Sequence, residues 1–209
     1  MMSMSTLSAT LALVTTRPYH HGNLRAALLE QAELTLTERG AQALSLRELA
    51  REIGVSHAAP RRHFPDRQAL LDALAEDGFD RLGDALARAV QCAGAAFDAR
   101  LHALGQAYIA FATRHAALLE LMFAGKQRPG ADSVRESADR AFAPPRAVIV
   151  EAQAAGELQA GDPGRVAIVA FATLQGLAAM ANGGMIEAAP VDAVVTDAID
   201  QLLDGLRPR

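Results

Sequence analysis

A chain of 209 residues that is 51% hydrophobic is long enough to bury a substantial core, which excludes a disordered polymer and a cross-linked mini-protein. The net charge of −4 excludes a uniformly basic coat for nucleic acid, yet the charge is uneven: residues 1–67 hold eight Arg against six acids, and residues 68–209 hold twelve Lys and Arg against eighteen. A mildly basic head on an acidic body is compatible with local nucleic-acid contact, because affinity depends on a patch rather than on the total. Abundant Ala and Leu, 4% aromatics and no Trp favour helix over sheet, so the fold class expected is all-α.

Residues 1–16 lack a positive n-region, and their apolar stretch is interrupted by Ser8 and Thr10. They read as part of a flexible arm over residues 1–18, with Met4 as an alternative start, rather than as a signal peptide. From His21 to Arg39, Leu24, Leu28, Ala32 and Leu36 recur every four residues and predict one apolar helical stripe, stopped by Gly40. Ser45 then reads as an N-cap completed by Glu48 in a capping box. Leu46, Leu49, Ala50 and Ile53 form the inner face of that helix, and Gly54 ends it. Ser56 caps a second short helix running to about Phe64. Pro65 breaks the chain, and Asp66 caps a long helix that Gly78 and Gly83 are expected to weaken locally. Cys92, the single cysteine, lies in an Ala-rich stretch and is expected to be a small buried hydrophobe. The lack of a thiol pair suits a reducing cytoplasm.

Beyond residue 95 the pattern stays helical. Phe97, Leu101, Leu104, Tyr108 and Phe111 form an amphipathic stripe, AALLELMF follows His115, and Gln127–Asp132 is a loop around Pro129-Gly130. Pro144-Pro145 starts or kinks a further helix ended by Gly156, and Asp162-Pro163 caps one running to about Asn182. That helix is apolar nearly all round and is expected to be buried on every side. The last begins near Pro190. No run reaches the length of consecutive apolar residues that a membrane helix needs, so no membrane partner is expected. The two final helices look like half of an intermolecular four-helix bundle, with Val169, Gly176, Met180, Val195 and Leu202 as candidate interface residues of a homodimer.

Ser45 to Arg67 reads SLRELAREIGVSHAAPRRHFPDR: a capped helix, a Gly-centred turn and a second short helix bearing basic groups. This is a helix-turn-helix pattern, and its second helix is of a size to enter the major groove of double-stranded DNA. Small side chains at Ala58 and Ala59 let the backbone approach base edges, and His57 and Arg62 can reach bases. Ser45, Arg61, His63 and Arg67 are placed to meet phosphates at the flanks.

The run from Tyr19 to Phe79, YHHGNLRAALLEQAELTLTERGAQALSLRELAREIGVSHAAPRRHFPDRQALLDALAEDGF, strongly resembles the DNA-binding domain of the TetR family of bacterial regulators. The resemblance implies a three-helix head over residues 19–66, a ligand-binding and dimerisation body over residues 67–209, and a homodimer on a palindromic operator. It implies that Arg47 and the helix Ser56–His63 enter the major groove, that His63 and Arg67 hold phosphates, and that Tyr19 and His20 add backbone contacts. Arg67 stands where the family usually has a lysine, and Arg61 where it usually has a tyrosine. The body resembles more loosely a C-terminal domain type that often carries Trp-His-Gly, where this chain has Leu174-Gln175-Gly176.

Tyr108, Phe111, Met122, Phe123 and Phe171 are candidate lining residues of an effector pocket, and also plausible as plain core. His115 and Gln175, with His102 and Thr173, are the polar groups expected to orient a ligand. No metal or cofactor is expected: His57 and His63 project to different sides and no thiol or carboxylate joins them. An enzyme is not expected either, since the chain has no phosphate loop, nucleophile elbow or metal cluster. The reading is therefore a DNA-binding regulator, a repressor released by a small molecule. A small-molecule binding protein or adaptor whose helix-turn-helix no longer reads DNA remains the alternative at this point.

Overall fold

The predicted stripe of Leu24, Leu28, Ala32 and Leu36 does turn inward: α1 (Leu24–Arg39) buries the last three completely or nearly so. Thr35 is buried beside them, and its hydroxyl is satisfied by donating to the Gln31 carbonyl at 2.9 Å and accepting from Arg39 at 3.2 Å. The computed structural model describes residues 24–186 and 191–207, and among these the chain is all-α, with nine α-helices and two 3-10 turns. The arm, Tyr19 and His20 lie outside the described residues.

Helix α2 (Leu46–Glu52) starts at Ser45, whose extended backbone suits an N-cap, but its side chain makes no cap hydrogen bond. The expected capping box is thus absent, because Glu48 turns to Arg51 at 3.3 Å and Arg39 at 3.9 Å instead of reaching back. The end of α2 follows the sequence closely. Gly54 takes φ +74°, which lets Val55 N–H reach the Ala50 carbonyl at 2.9 Å and closes a Schellman motif.

Asp66 caps α3 (Arg67–Cys92) by accepting from Ala69 N–H at 2.8 Å. The helix is unbroken over 26 residues and serves the head and then the body. Leu70, Leu71 and Leu74 are buried early, and Phe79, Leu82 and Leu86 later. All belong to one continuous apolar cluster running from α1 to the last helix. Gly78 and Gly83 do not weaken α3 but admit its neighbours. A Cβ on Gly78 would sit 2.6 Å from Met122 Sδ, and one on Gly83 would sit 2.9 Å from the Cα of Ala141. Cys92, expected to be buried, is exposed, because it closes α3 well past the last buried position, Leu86.

The body adds α4 (Phe97–Arg114), α5 (Ala116–Lys126), α6 (Asp132–Ala141) and α7 (Ala143–Ala154), packed around α3. Helix α6 has no stripe of large apolar residues to announce it. Its buried positions are Val134, Ser137, Ala138 and Ala141, small because α6 lies close against α3 at Gly83. Helix α8 (Pro163–Asn182) is capped by Asp162, which accepts from Gly164 N–H at 2.8 Å, and it packs on α4, α7 and α9 (Val191–Leu206).

Within the chain α8 is not buried on every side: Ala178 is its one buried residue. Ile168 and Val169 are 68% and 51% exposed, on the same face as the exposed Ala172, Gly176, Ala179 and Met180. By length and mean hydropathy alone α8 could cross a membrane, but its other face rests on three helices of the body. Val195, expected at a dimer interface, is 1% exposed inside the chain's own core, since α9 turns its stripe of Val195, Ile199 and Leu203 onto the body.

One polar cluster ties the head to the body. Glu33 of α1 receives Arg81 of α3 in a two-pronged pair at 2.5 and 3.2 Å, and His115, between α4 and α5, lies 2.9 Å from the same carboxylate. Burial pushes the Glu33 pKa up, but the Arg81 and His115 contacts outweigh it and hold the carboxyl below its ordinary value.

Two outcomes follow from this packing. Gly83→Ala gains about 1 kcal/mol of helix propensity but drives a methyl into the backbone of α6, so a net loss of roughly 1–3 kcal/mol is expected. A raised Tm would show that α6 yields. Because the folded-state pKa of Glu33 is depressed, its contribution is present above the ordinary glutamate value of 4.5 and is lost as pH falls through the folded value. Glu33→Gln should therefore lower Tm at neutral pH, and the gap to the parent should close in acid. A gap of constant size across that range would remove the carboxylate from the account.

Candidate DNA interface and effector cavity

The segment expected to be a second α-helix, Ser56 to Phe64, is instead a turn followed by a 3-10 turn, Pro60–Arg62. The cause is Pro60, which has no N–H to give to the Ser56 carbonyl. The backbone closes with shorter spacings: Ala59 N–H to Ser56 at 3.0 Å, Arg62 to Ala59 at 3.2 Å, and His63 to Pro60 at 3.0 Å. Pro60 and Phe64 are buried against the head, and the Arg25 guanidinium sits 5.7 Å above the Phe64 ring, a cation–π contact. Held from below in this way, Ser56, His57, Ala58, Arg61, Arg62 and His63 are exposed, with Ala59 half-buried.

Charge on this surface is one-sided. Residues 53–65 contain two Arg and two His and no acid. The acids just before them are occupied: Glu52 pairs with Arg39 at 2.7 Å and accepts from Gln31 at 3.1 Å. The Arg39 hydrogen bond keeps the Glu52 carboxyl below its ordinary pKa. Arg47, Arg61 and Arg62 make no ion pair or side-chain hydrogen bond among the described residues, so their donors are free for an incoming anion. Arg67 differs from the other candidates, because Nε donates to the Leu44 carbonyl at 3.0 Å and Nη2 to that of Ala41 at 2.6 Å. It fastens the start of α3 to the connection between α1 and α2. Ser45, half-buried, stands beside Arg47 at the head of α2.

In the body a cavity of about 300 Å³ opens between α4, α7, α8 and α9. Its wall is mainly apolar: Leu101, Leu104 and Gly105 of α4, Ile149 of α7, Ala167, Ala170 and Leu174 of α8, and Ile199 of α9. Phe171 is at the centre of its aromatic side, with ring centroids 5.3 Å from Phe142, 5.5 Å from Phe123 and 5.6 Å from Tyr108. The Tyr108 hydroxyl donates to the Gln175 side-chain oxygen. Burial pushes the Tyr108 pKa up, so the group stays a neutral donor.

Of the residues expected to line a pocket, Tyr108, Phe123 and Phe171 do so, and Leu202, expected at a dimer interface, joins them. Phe111, His115, Met122 and Gln175 are not part of the wall. Met122 is spent on the close approach to Gly78, and the Phe111 ring packs tilted against His115 with centroids 4.9 Å apart. His115 belongs to the Glu33 and Arg81 cluster, and Gln175 holds Tyr108 from behind. His102 bridges the Asp98 carbonyl at 2.7 Å and Asp200 at 3.0 Å, and Thr173 donates to its own helix at 3.0 Å. Lys126, Asp139 and Arg146, at the rim, were not anticipated. Gly105, within the α4 stripe, admits α9, since a Cβ there would collide with the side chain of Ile199.

Both halves of the chain resemble known proteins. The family model described as bacterial regulatory proteins, tetR family, matches residues 28–74, and that of the tetracyclin repressor-like C-terminal domain matches residues 101–206, half of the chain. A solved structure of a protein of unknown function from Rhodococcus sp. RHA1 shares 53% identity over 92% of this chain and all of that one, with a TM-score of 0.85. The TetR family transcriptional regulator PfmR from Thermus thermophilus has the same fold, with a TM-score of 0.68 over 87% of this chain and 99% of its own at 21% identity. No curated protein matches the chain. With both halves of the architecture matched in order, the chain belongs to the TetR family of transcriptional regulators.

Proposed function

We propose that this regulator is a homodimeric repressor that binds a palindromic operator and is released by a small-molecule effector in the cavity. The observation that carries the DNA reading is the exposed, acid-free segment 53–65 with its uncommitted guanidinium groups. In this reading Arg62 and His57 meet base edges, and Ala58 and Ala59 allow close approach of the backbone to thymine methyls. Ser45, Arg47, Ser56, Arg61 and His63 hold the phosphates on either side, with Tyr19 and His20 extending the grip. Arg67 acts chiefly through the carbonyls it fastens, positioning the reading segment on α3. The protein works in the cytoplasm beside its operator and catalyses no reaction.

The dimer is attributed to the exposed apolar face of α8, with Val169, Gly176 and Met180 at its centre. Two copies would set the reading segments about 34–36 Å apart, one turn of DNA. The effector acts through α3 and α4. Helix α3 runs from the Arg67 anchor to Leu86 in the cavity wall, and α4 runs from Tyr108 in that wall to His115 against Glu33. An effector that fits one arrangement of these helices better moves the heads, by no more than its differential affinity allows.

Selection of sites from random duplexes should return a palindrome. Arg62→Ala should relax preference at particular bases by roughly 1–3 kcal/mol, while Arg61→Ala should weaken all sequences alike and lower the salt slope by about 1. Sequence-indifferent binding throughout would sink the reading. For the dimer, Gly176→Glu is informative because, among the described residues beyond its own helical turn, nothing lies within 4 Å of a Cβ there. Sedimentation should show monomers of native helicity, whereas an intact dimer would place the interface elsewhere.

A further inference from the structure

The polar groups of the cavity are gathered on one side. The walls from α4, α8 and α9 are apolar apart from Tyr108, whose hydroxyl is already engaged by Gln175. Charge enters only at the rim, through Lys126 in the last turn of α5, Asp139 in the last turn of α6 and Arg146 in the first turn of α7. Neighbouring cations on these elements are committed: Arg128 to Asp72 at 2.5 Å, Arg135 to Asp132, and Arg140 to Asp80 at 3.2 Å. Lys126, Asp139 and Arg146 make no ion pair and no side-chain hydrogen bond among the described residues. Two free cations and one free carboxylate therefore line the same apolar cavity, Asp139 and Arg146 on its exposed side. The surrounding body is acidic, with twelve Lys and Arg against eighteen acids.

An excess of positive charge there runs against the sign of the whole body, and an apolar wall strengthens the field it makes. A neutral ligand makes little use of it, and a cationic ligand meets net repulsion. An anion receives charge-assisted hydrogen bonds from both side chains. On the reading of this cavity as the effector site, we propose that the effector is an amphipathic carboxylate. Its apolar chain lies along Leu104, Gly105 and Phe171, and its head group sits between Lys126 and Arg146. The cavity is at the small end of ligand pockets, so the chain is short and the head group reaches the rim.

The test is calorimetric titration of the full-length protein with decanoate, decanol and decylamine. Decanoate should bind on the order of tenfold tighter than decanol, and decylamine weakest. In the double variant Lys126→Met, Arg146→Met the preference for decanoate should vanish while decanol affinity stays unchanged. Equal affinity for decanoate and decanol in the parent, or a preference for decylamine, would overturn the carboxylate and leave the cavity as the effector site. That remaining reading is checked by loss of binding in Ala170→Trp. If none of the three probes binds, the carboxylate proposal and the effector reading of the cavity both fall.

Discussion

Helix α3 runs unbroken through one continuous apolar core from the head into the body, and the rest of the structure depends on it. Its first turns bury Leu70, Leu71 and Leu74 on the side of α1, and its later turns bury Phe79, Leu82 and Leu86 with α4 to α7. The Asp66 cap and the two carbonyls held by Arg67 fix where it starts. The glycines at 78 and 83 fix how near Met122 and Ala141 can come. A kink in the middle would separate segment 53–65 from the cavity. Continuity of the helix is what makes the head and the cavity parts of one mechanical object rather than two tethered ones.

Electrostatics then sorts the arginines into two kinds. Arg39, Arg67 and Arg81 hold the scaffold, and Arg47, Arg61 and Arg62 remain available. Exposed ion pairs such as Arg39 with Glu52 are individually worth little stability, about 0–1 kcal/mol. Their consequence lies elsewhere: they occupy the carboxylates of α2 that would otherwise repel phosphate. The same division recurs at the cavity, where Arg128, Arg135 and Arg140 are paired and Lys126 and Arg146 are not.

Much of this was legible in the residues, wherever a strong local signal coincided with the tertiary demand. The stripe of α1, the Gly54 turn, the Asp66 and Asp162 caps and the apolar character of α8 all stand where the pattern puts them. Local reasoning failed where two local rules competed. Ser56 invites a helix, but Pro60 withholds the hydrogen bond that would continue it, and a tighter turn results. Glu48 is spaced for a capping box, but two arginines offer it better partners than a backbone N–H. Helix α6 fell within the stretch read as helical but was given no bounds, because close packing selects small buried residues there.

The order of residues by itself determined the helical class, the division into a mildly basic head and an acidic body, and most helix ends. Each of these is set by interactions within a few residues: caps, turn glycines and the spacing of apolar side chains. Only the tertiary structure decided which aromatics face a space and which face one another, and that Val195 belongs to the core while Val169 stays exposed. It alone showed that His115 ties α1 to the body instead of meeting a ligand, and that Lys126 and Arg146 share a rim. Those outcomes depend on how far apart non-adjacent helices lie, a distance set by the packing of the whole core, and no local pattern of residues encodes it.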